Sequence, residues 1–272
     1  MPKCLFCSSD GSFSTIEHII PESLGNDDLL LKEAVCDSCQ NYFGREVEQF
    51  VLSKTPIAFW RTFLGIKTKK RKNPSVNLSQ PKNDKGIFPS VHPAHDDMEF
   101  TYHDDGSMSF GTENSDLRKK IVSGEKDKFM LVFTPKILHM LGRFLCKVGI
   151  ELICSDNPEF AKSEIFEKAR RYARFGEFDG LWPLFHFSKG NPSDFREYRK
   201  DELGLLEDVQ CYFYSLFLCN EQYWLFLFSM GTDNWIVSLN DPFPNPVIQK
   251  AFPNDKLSLI WYAPEESKRA AG

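Results

Sequence analysis

The 272-residue sequence has little of what would mark a membrane or secreted protein. No apolar run approaches the ~20 residues that a membrane-spanning helix needs. The first residues, MPKCLFC, contain no apolar stretch of the kind found in secretory signal peptides. Low-complexity sequence is limited to one short basic run, and 42% of the residues are hydrophobic beside 26% charged. These values are typical of a folded globular protein, and we expect it in the cytoplasm.

An overall excess of basic residues is also missing. The formal net charge is −5, so the whole chain has no electrostatic signature of nucleic-acid binding. Two local clusters of basic residues are Lys67, Lys69, Lys70, Arg71 and Lys72, and further along Arg170, Arg171 and Arg174. The first cluster could contact backbone phosphates or form a solvated loop. For the second we favour the solvent-exposed face of a helix over a phosphate-binding patch.

The eight cysteines fall into two groups. Disulfides are rare in the cytoplasm, so the sequence favours free thiols or metal ligation. Four cysteines lie among apolar residues and are predicted to be buried in the core: Cys146, Cys154, Cys211 and Cys219. The other four form two Cys-x-x-Cys pairs, Cys4 with Cys7 and Cys36 with Cys39. Four thiolates can hold one Zn²⁺ tetrahedrally, and the alternative is two reversible dithiols.

The segment that contains both pairs predicts a small ββα unit over residues 1–53. The stretch FSTIEHII is rich in β-branched residues and predicts a strand, PESLGNDD is typical of a turn, and EAVC predicts a short second strand. The stretch QNYFGREVEQFVLS has Phe43, Val47 and Phe50 at helical spacing. A unit of about 50 residues buries little apolar surface, so a structural Zn²⁺ would stabilise it.

Any chemistry in this unit has to come from side chains other than the cysteines. A zinc ion with four thiolate ligands has no open position for water, which excludes a zinc-dependent hydrolase. Glu17 and His18 stand side by side in the first predicted strand. Phosphodiester hydrolysis uses such a pair, because an imidazole can take a proton from water while a carboxylate holds a divalent cation near the phosphate.

The pattern C-x-x-C, EHIIPESLG and VCDSCQNYFG resembles the HNH endonuclease family, the ββα-metal nucleases, in the branch stabilised by a four-cysteine zinc site. The resemblance implies that His18 is the general base. It also implies that Glu17, where the family more often has Asp, ligates a catalytic Mg²⁺ or Mn²⁺. The second ligand usually follows the last cysteine; Gln40 holds that position, Asn41 is next, and either amide could serve. The resemblance makes Asn26 the candidate for the loop residue that braces the site.

The resemblance also implies a reaction and a substrate. Water activated by His18 would attack phosphorus in line and leave a 5′-phosphate and a 3′-hydroxyl. The partner would be nucleic acid, with DNA favoured, and the biological role restriction or phage defence. The rival interpretation is a non-catalytic zinc module that binds nucleic acid or protein, which Gln40 and the acidic net charge favour.

The rest of the chain predicts a basic linker and hairpin over residues 54–115 and a helical, then β-rich accessory domain over residues 116–272. DMEFTYHDDGSMSFGT predicts the hairpin, with Asp-Gly at its turn. Helices are predicted to start at Pro135 and Pro158, and the second to end at Gly176. Aromatic segments after residue 205 predict two to four strands of a buried sheet, with CNEQ as a turn. The predicted fold class is α+β.

Two further patterns are weaker. His92, His95 and His103 lie near several acids, which is a weak indication of a second metal site. On the helix of the ββα unit, Glu48 is better placed than Glu46 to support the active site.

Overall fold

The computed structural model describes residues 3–77, 99–105, 107–125, 134–178, 182–190, 212–242, 245–253, 255 and 258–260. Helices and antiparallel sheets are mixed within these ranges, which confirms the predicted α+β class. No helix in the described ranges is long and apolar enough to cross a membrane. His92, His95 and Cys211 lie outside the described residues.

The N-terminal module is a short hairpin followed by a long helical segment. Strand β1 (Glu17–His18) pairs antiparallel with β2 (Leu30–Leu31). The helical segment consists of α1 (Asp37–Tyr42), a π-helical stretch (Phe43–Glu48) and α2 (Gln49–Lys54). Such π-helical stretches occur frequently at functional sites.

The second strand of the module is displaced from its predicted position. EAVC was expected to form that strand, but its backbone groups approach the loop of the first cysteine pair. The Leu5 N–H donates to the carbonyl of Ala34 at 2.8 Å, and the Cys36 N–H lies 3.4 Å from Cys4 Sγ. Because these groups are used at the cysteine loop, Leu30–Leu31 pairs with β1 instead.

Helix α5 (Pro135–Asp156) is the central element of the molecule. It begins where the sequence predicts, because Thr134 Oγ1 accepts a hydrogen bond from the Ile137 N–H. Most of its side chains are buried, since the helical segment of the module, α7 (Glu167–Phe175) and a five-stranded sheet pack around it. A Cβ at Gly149 would lie 2.8 Å from Leu239 Cδ1, so this glycine lets the helix approach its neighbours closely.

The single helix predicted after Asn157 is divided in two. Arg170 explains the break, because its guanidinium donates to the carbonyl of Ser163 at 2.9 Å and so satisfies the backbone there. The predicted end is confirmed: Gly176 closes α7 with φ 70°. The other helices are α3 (Pro56–Phe63), α4 (Ser115–Val122), α6 (Pro158–Ala161) and α8 (Asn245–Ala251), with 3-10 turns at Glu22–Leu24 and Glu164–Phe166.

Two further antiparallel sheets complete the described fold. The larger has the strand order β10-β6-β9-β8-β7, and CNEQ forms the predicted turn between β7 and β8. Its strands are β6 (Leu184–Ser188), β7 (Tyr212–Cys219), β8 (Tyr223–Met230), β9 (Asp233–Ser238) and β10 (Ser258–Ile260). The smaller contains the predicted hairpin and consists of β3 (Ser75–Asn77), β4 (Glu99–Tyr102) and β5 (Met108–Gly111).

One hydrophobic core extends from the N-terminal module into the rest of the chain. It includes Leu5 and Phe43 of the module together with Phe144 of α5 and Phe228 of β8. Of the dispersed cysteines, Cys146 and Cys154 are buried as predicted, while Cys219 is only partly buried. The predicted domain boundaries after residues 53 and 115 stay predictions.

Candidate active site and metal centre

The two Cys-x-x-Cys pairs converge on one point. The Sγ atoms of Cys4, Cys7, Cys36 and Cys39 all lie within 4.8 Å of one another, and those of Cys7 and Cys36 are 3.7 Å apart. A Zn²⁺ with Zn–S bonds of about 2.3 Å would place its tetrahedral sulfurs about 3.8 Å apart. The donor set therefore fits a structural zinc ion. His103 belongs to no comparable ligand group among the described residues.

Crowding couples the protonation of these thiols. A hydrogen bond from the Cys39 thiol lowers the pKa of Cys4 to about 4, and the same hydrogen bond raises the pKa of Cys39 far above its usual value. Arg174 opposes that rise, because its Nε donates to Cys39 Sγ at 3.1 Å. A bound divalent cation would stabilise all four groups as thiolates.

Arginines from outside the module hold the helix that carries the second cysteine pair. The guanidinium of Arg174 lies 3.9 Å from the ring centroid of Tyr42, and Arg143 donates to Tyr42 Oη at 2.8 Å. Arg170 is 6% exposed and bonds to backbone carbonyls. Of the second basic cluster, Arg171 alone is exposed. The solvent-exposed face and the phosphate-binding patch are thus wrong for Arg170, because internal acceptors use its guanidinium. Arg174 is half-buried with its Nε bonded to Cys39, and Arg171 is exposed as predicted.

Asp37, which the sequence prediction overlooked, fixes the loop that leads into β1. Its carboxylate accepts hydrogen bonds from the hydroxyls of Ser12, Ser14 and Thr15 and from two backbone N–H groups. These hydrogen bonds lower the pKa of Asp37 below its usual range, and the bond from Ser12 contributes most. The N–H groups of residues 14 and 15 are used in this way, so the strand predicted over FSTIEHII shortens to Glu17–His18.

Strand β1 places its two side chains at the wall of an open cleft of about 270 Å³. Glu17 and His18 line this cleft together with Asn41 and Glu48 of the helical segment. The His18 side chain is partly exposed, and its Nδ1 is buried without a hydrogen-bond partner among the described residues. The ring is therefore not enclosed, and an imidazole in this position can accept a proton from the cleft.

Glu17 is buried, and its charge partner comes from α5. Lys147 Nζ lies 2.6 Å from Glu17 Oε1, 2.8 Å from Glu48 Oε1 and 3.0 Å from Glu151 Oε2. These four side chains are termed the lysine-centred cluster. Lys147 and Glu151 are fully buried, and Glu48 takes part from the end of the π-helical stretch.

Burial and charge act in opposite directions within the lysine-centred cluster. Burial raises the pKa of Glu17, and it raises that of Glu151 well above the usual range. Burial disfavours the ammonium form of Lys147 and acts to lower its pKa. The negative charges of the surrounding carboxylates, Glu151 most of all, have the larger effect and raise the pKa of the lysine. The carboxylates therefore favour the ammonium form of Lys147 beside Glu17.

The two amides expected as alternative metal ligands have different surroundings. Gln40 Oε1 accepts from Thr15 Oγ1 at 2.8 Å, and its Nε2 donates to the carbonyls of Thr15 and Val35 at 3.1 and 2.9 Å. Asn41 is exposed on the cleft wall, and its side chain makes no hydrogen bond to any residue that the structure describes. Gln40 thus braces the loop before β1, while the amide of Asn41 is free to bind a ligand.

Asn26 fixes the connection between β1 and β2. It is 3% exposed, its Nδ2 donates to the carbonyl of Ile20 at 2.6 Å, and its Oδ1 accepts from the Leu29 N–H at 2.9 Å. The side chain therefore holds both ends of the turn that follows β1.

The first basic cluster reaches the cleft through one residue. Lys69 lines the cleft and forms an ion pair with Glu22 at 2.9 Å. The side chains of all five members, Lys67, Lys69, Lys70, Arg71 and Lys72, are exposed. Nothing about their burial prevents contact with a phosphate backbone.

The lysine-centred cluster escaped the sequence prediction, although a signal for it exists. Arg143, Lys147 and Glu151 recur every four residues in an otherwise apolar helix, so they share one face. Charged groups on such a helix must find buried partners, because an unpaired buried charge is costly. This spacing predicts a polar contact between α5 and another part of the molecule.

Comparison with known proteins adds one finding. Residues 4–55 match the family model described as HNH endonuclease, which confirms the resemblance for the N-terminal module. The matched range begins at the first cysteine and ends just after α2. A search of curated proteins and a search of solved structures found no significant match.

Proposed function

We propose, from the HNH endonuclease domain at residues 4–55, that this protein is a metal-dependent endonuclease that hydrolyses phosphodiester bonds in DNA. The observation that carries the proposal is that Glu17 and His18 line one open cleft beside the four-cysteine site. Zn²⁺ at the cysteines would be structural, because four thiolates leave no position for water.

Glu17 and Asn41 are the residues that would hold a catalytic cation. Carboxylate and amide oxygens are ligands that Mg²⁺ and Mn²⁺ prefer, and both side chains line the same cleft. The bound cation would neutralise charge that develops on the phosphate. Gln40 is the alternative ligand, although its Oε1 already accepts a hydrogen bond from Thr15.

His18 would act as the general base. The partly exposed imidazole takes a proton from a water molecule in the cleft, and that water attacks phosphorus in line with the leaving 3′ oxygen. The products are a 5′-phosphate and a 3′-hydroxyl. A well-placed base contributes about 10²–10⁴-fold to such a reaction.

The exposed basic cluster would bind the substrate. Lys69 at the cleft and its neighbours along residues 67–72 would contact phosphates, which compensates locally for the acidic net charge. We further propose a cytoplasmic role in restriction or phage defence, which the family resemblance supports. Plasmid DNA and an RNA of the same sequence, offered in parallel, would separate the two substrate classes.

A non-catalytic module that binds nucleic acid or protein is the second candidate. Two observations favour it: Glu17 Oε1 is already paired with Lys147, and Gln40 is bonded to the loop before β1. Both candidates predict zinc binding, and only the nuclease predicts metal-dependent cleavage, so cleavage decides between them.

Plasmid nicking with Mg²⁺ or Mn²⁺ tests the proposal. We expect wild-type protein to nick the plasmid and His18→Ala to lose about 10²–10⁴-fold in rate, because the general base is gone. His103→Ala is the matched control: this histidine bonds to Ser109 on the hairpin and does not line the cleft, so nicking should persist. Wild-type protein that binds the plasmid but never nicks it would favour the binding module.

A further inference from the structure

We propose that Lys147, which lies in α5 outside the family match, is a positioning residue of the nuclease site. It would hold one oxygen of Glu17 and the backbone of the catalytic strand, so that the second carboxylate oxygen is kept for the cation. This inference rests on the nuclease function proposed above and adds a component that the N-terminal module does not contain.

The contacts of Lys147 concentrate on the catalytic strand. Its Nζ lies 2.6 Å from Glu17 Oε1 and donates to the backbone carbonyls of His18 at 3.1 Å and Ile19 at 3.3 Å. One ammonium thus reaches the proposed metal ligand and the peptide unit that carries the general base. The relative position of Glu17 and His18 therefore depends on this side chain.

A purely structural role explains the ammonium poorly. The Lys147 side chain is fully buried, and five oxygens within 3.3 Å compete for its three N–H groups. Consistent with this shortage, Glu48 Oε1 and Glu151 Oε2 have no partner other than this ammonium among the described residues, and Glu151 Oε1 has none. Apolar side chains often stabilise a buried position as well as an ion pair does, so packing alone does not require this arrangement.

Fixing a carboxylate is a known requirement of metal sites. Outer partners that orient a ligating carboxylate typically change metal affinity or activity by about 10- to 100-fold when they are removed. Lys147 is in a position to do this for Glu17, because it contacts a single carboxylate oxygen, is fully buried and does not line the cleft.

The test uses a charge-conserving double variant, Lys147→Met with Glu151→Met. Three carboxylates and one ammonium give the cluster a formal charge of −2, and the double variant keeps that value because one charge of each sign is removed. Replacing a buried ion pair with apolar residues is often tolerated in stability. The variant therefore removes the contact to Glu17 and keeps the formal charge of the cluster.

Two readouts are compared in zinc-loaded protein: Mn²⁺ affinity from electron paramagnetic resonance without nucleic acid, and the Mn²⁺ concentration that gives half-maximal plasmid nicking. We expect the dissociation constant for Mn²⁺ and the Mn²⁺ concentration for half-maximal nicking each to rise about 10- to 100-fold in the double variant. Glu151→Gln is the matched control, because it alters the same cluster but leaves the contact between Lys147 and Glu17. Its Mn²⁺ affinity should match wild type.

The outcomes separate this inference from the nuclease proposal. An unchanged Mn²⁺ affinity in a double variant that differs only in melting temperature would assign Lys147 a structural role and overturn the inference alone. A tighter Mn²⁺ complex would show that the lysine competes with the cation, and would overturn it as well. Wild-type protein that neither binds Mn²⁺ nor nicks would overturn the nuclease proposal itself, and the inference with it.

Discussion

Gln40 and Asn41 are adjacent on α1, but a helix turns by about 100° per residue, so their side chains leave it in different directions. Both residues line the cleft, but Gln40 bonds to Thr15 and Val35, whereas the Asn41 side chain makes no hydrogen bond to a described residue. The residue that directly follows the last cysteine therefore supports the loop before β1. Its exposed neighbour is the better candidate for a metal ligand.

Alanine variants should distinguish the residue that supports the loop before β1 from the residue that binds the metal. We expect Asn41→Ala to raise the Mn²⁺ requirement for nicking by about 10-fold or more with little change in melting temperature, because a ligand is lost from an exposed position. Gln40→Ala should instead lower the unfolding free energy by about 1–2 kcal/mol, because its hydrogen bonds to the loop disappear. Mn²⁺ titrations of nicking measure the metal requirement of both variants, and urea unfolding measures their free energies of unfolding. The reverse pattern would make Gln40 the ligand.

At the residue scale, local sequence predicts the candidate metal-binding and catalytic side chains, but not the distant side chains that contact them. The cysteine pairs and Glu17-His18 are contiguous motifs, so their spacing predicts the metal site and the catalytic candidates. Lys147 is 129 residues from His18, and no local pattern specifies that two such distant groups meet. Only the periodic charges on α5 indicate that this helix has a polar partner.

At the scale of elements, α7 acts on the zinc site through one side chain. Arg174 donates to Cys39 Sγ and stacks on Tyr42, so the helix both neutralises a metal ligand and packs on α1. Hydrogen bonds to ligand sulfur are part of the outer shell that holds a metal in place. The zinc site is therefore not independent of the helices that follow it.

Removing the contact between Arg174 and Cys39 should weaken metal binding at the four cysteines. We expect Arg174→Met to release zinc to a chromogenic chelator about 10-fold faster than wild type, because Cys39 loses its charged donor. Arg171→Met is the matched control on the same helix, since Arg171 is exposed and pairs with Glu177. Equal release rates in the two variants would show that Arg174 does not hold the zinc site.

Helix and strand boundaries followed the sequence where local signals dominate. Thr134 and Gly176 cap their helices as expected, and the Asp-Gly hairpin forms. EAVC does not form the predicted strand because its backbone groups bond to the loop of the first cysteine pair, which lies far away along the chain. The same cause, bonding of Ser14 and Thr15 to Asp37, shortened the first strand.

At the scale of the whole molecule, packing between α5 and α7 links stability to pH. His139 lies against Tyr172 with ring centroids 5.3 Å apart. Burial, with Arg143 contributing, lowers the pKa of His139 from 6.5 to about 4. The folded state therefore favours the neutral ring. Its contribution to stability is complete above the unfolded pKa of 6.5 and is lost as the pH falls towards the folded pKa of about 4.

His139→Gln should flatten this pH dependence. Between about pH 7 and about pH 5 we expect wild type to lose roughly 1 kcal/mol more unfolding free energy than the variant, since a partly exposed ring keeps some solvation. Urea midpoints at the two pH values measure the difference. The comparison also cancels any effect of thiol protonation at the zinc site, which both proteins share. Parallel losses would mean that the histidine titrates alike in both states.

The separation of Lys147 from β1 along the chain has a consequence for biosynthesis. The N-terminal module leaves the ribosome before α5, and the ammonium that contacts Glu17 is translated 129 residues after the imidazole of His18. A nascent polypeptide that stops short of α5 would carry Glu17 and His18 without the ammonium that contacts this strand. If the ammonium is required, the cell would meet an active enzyme only when translation is well advanced.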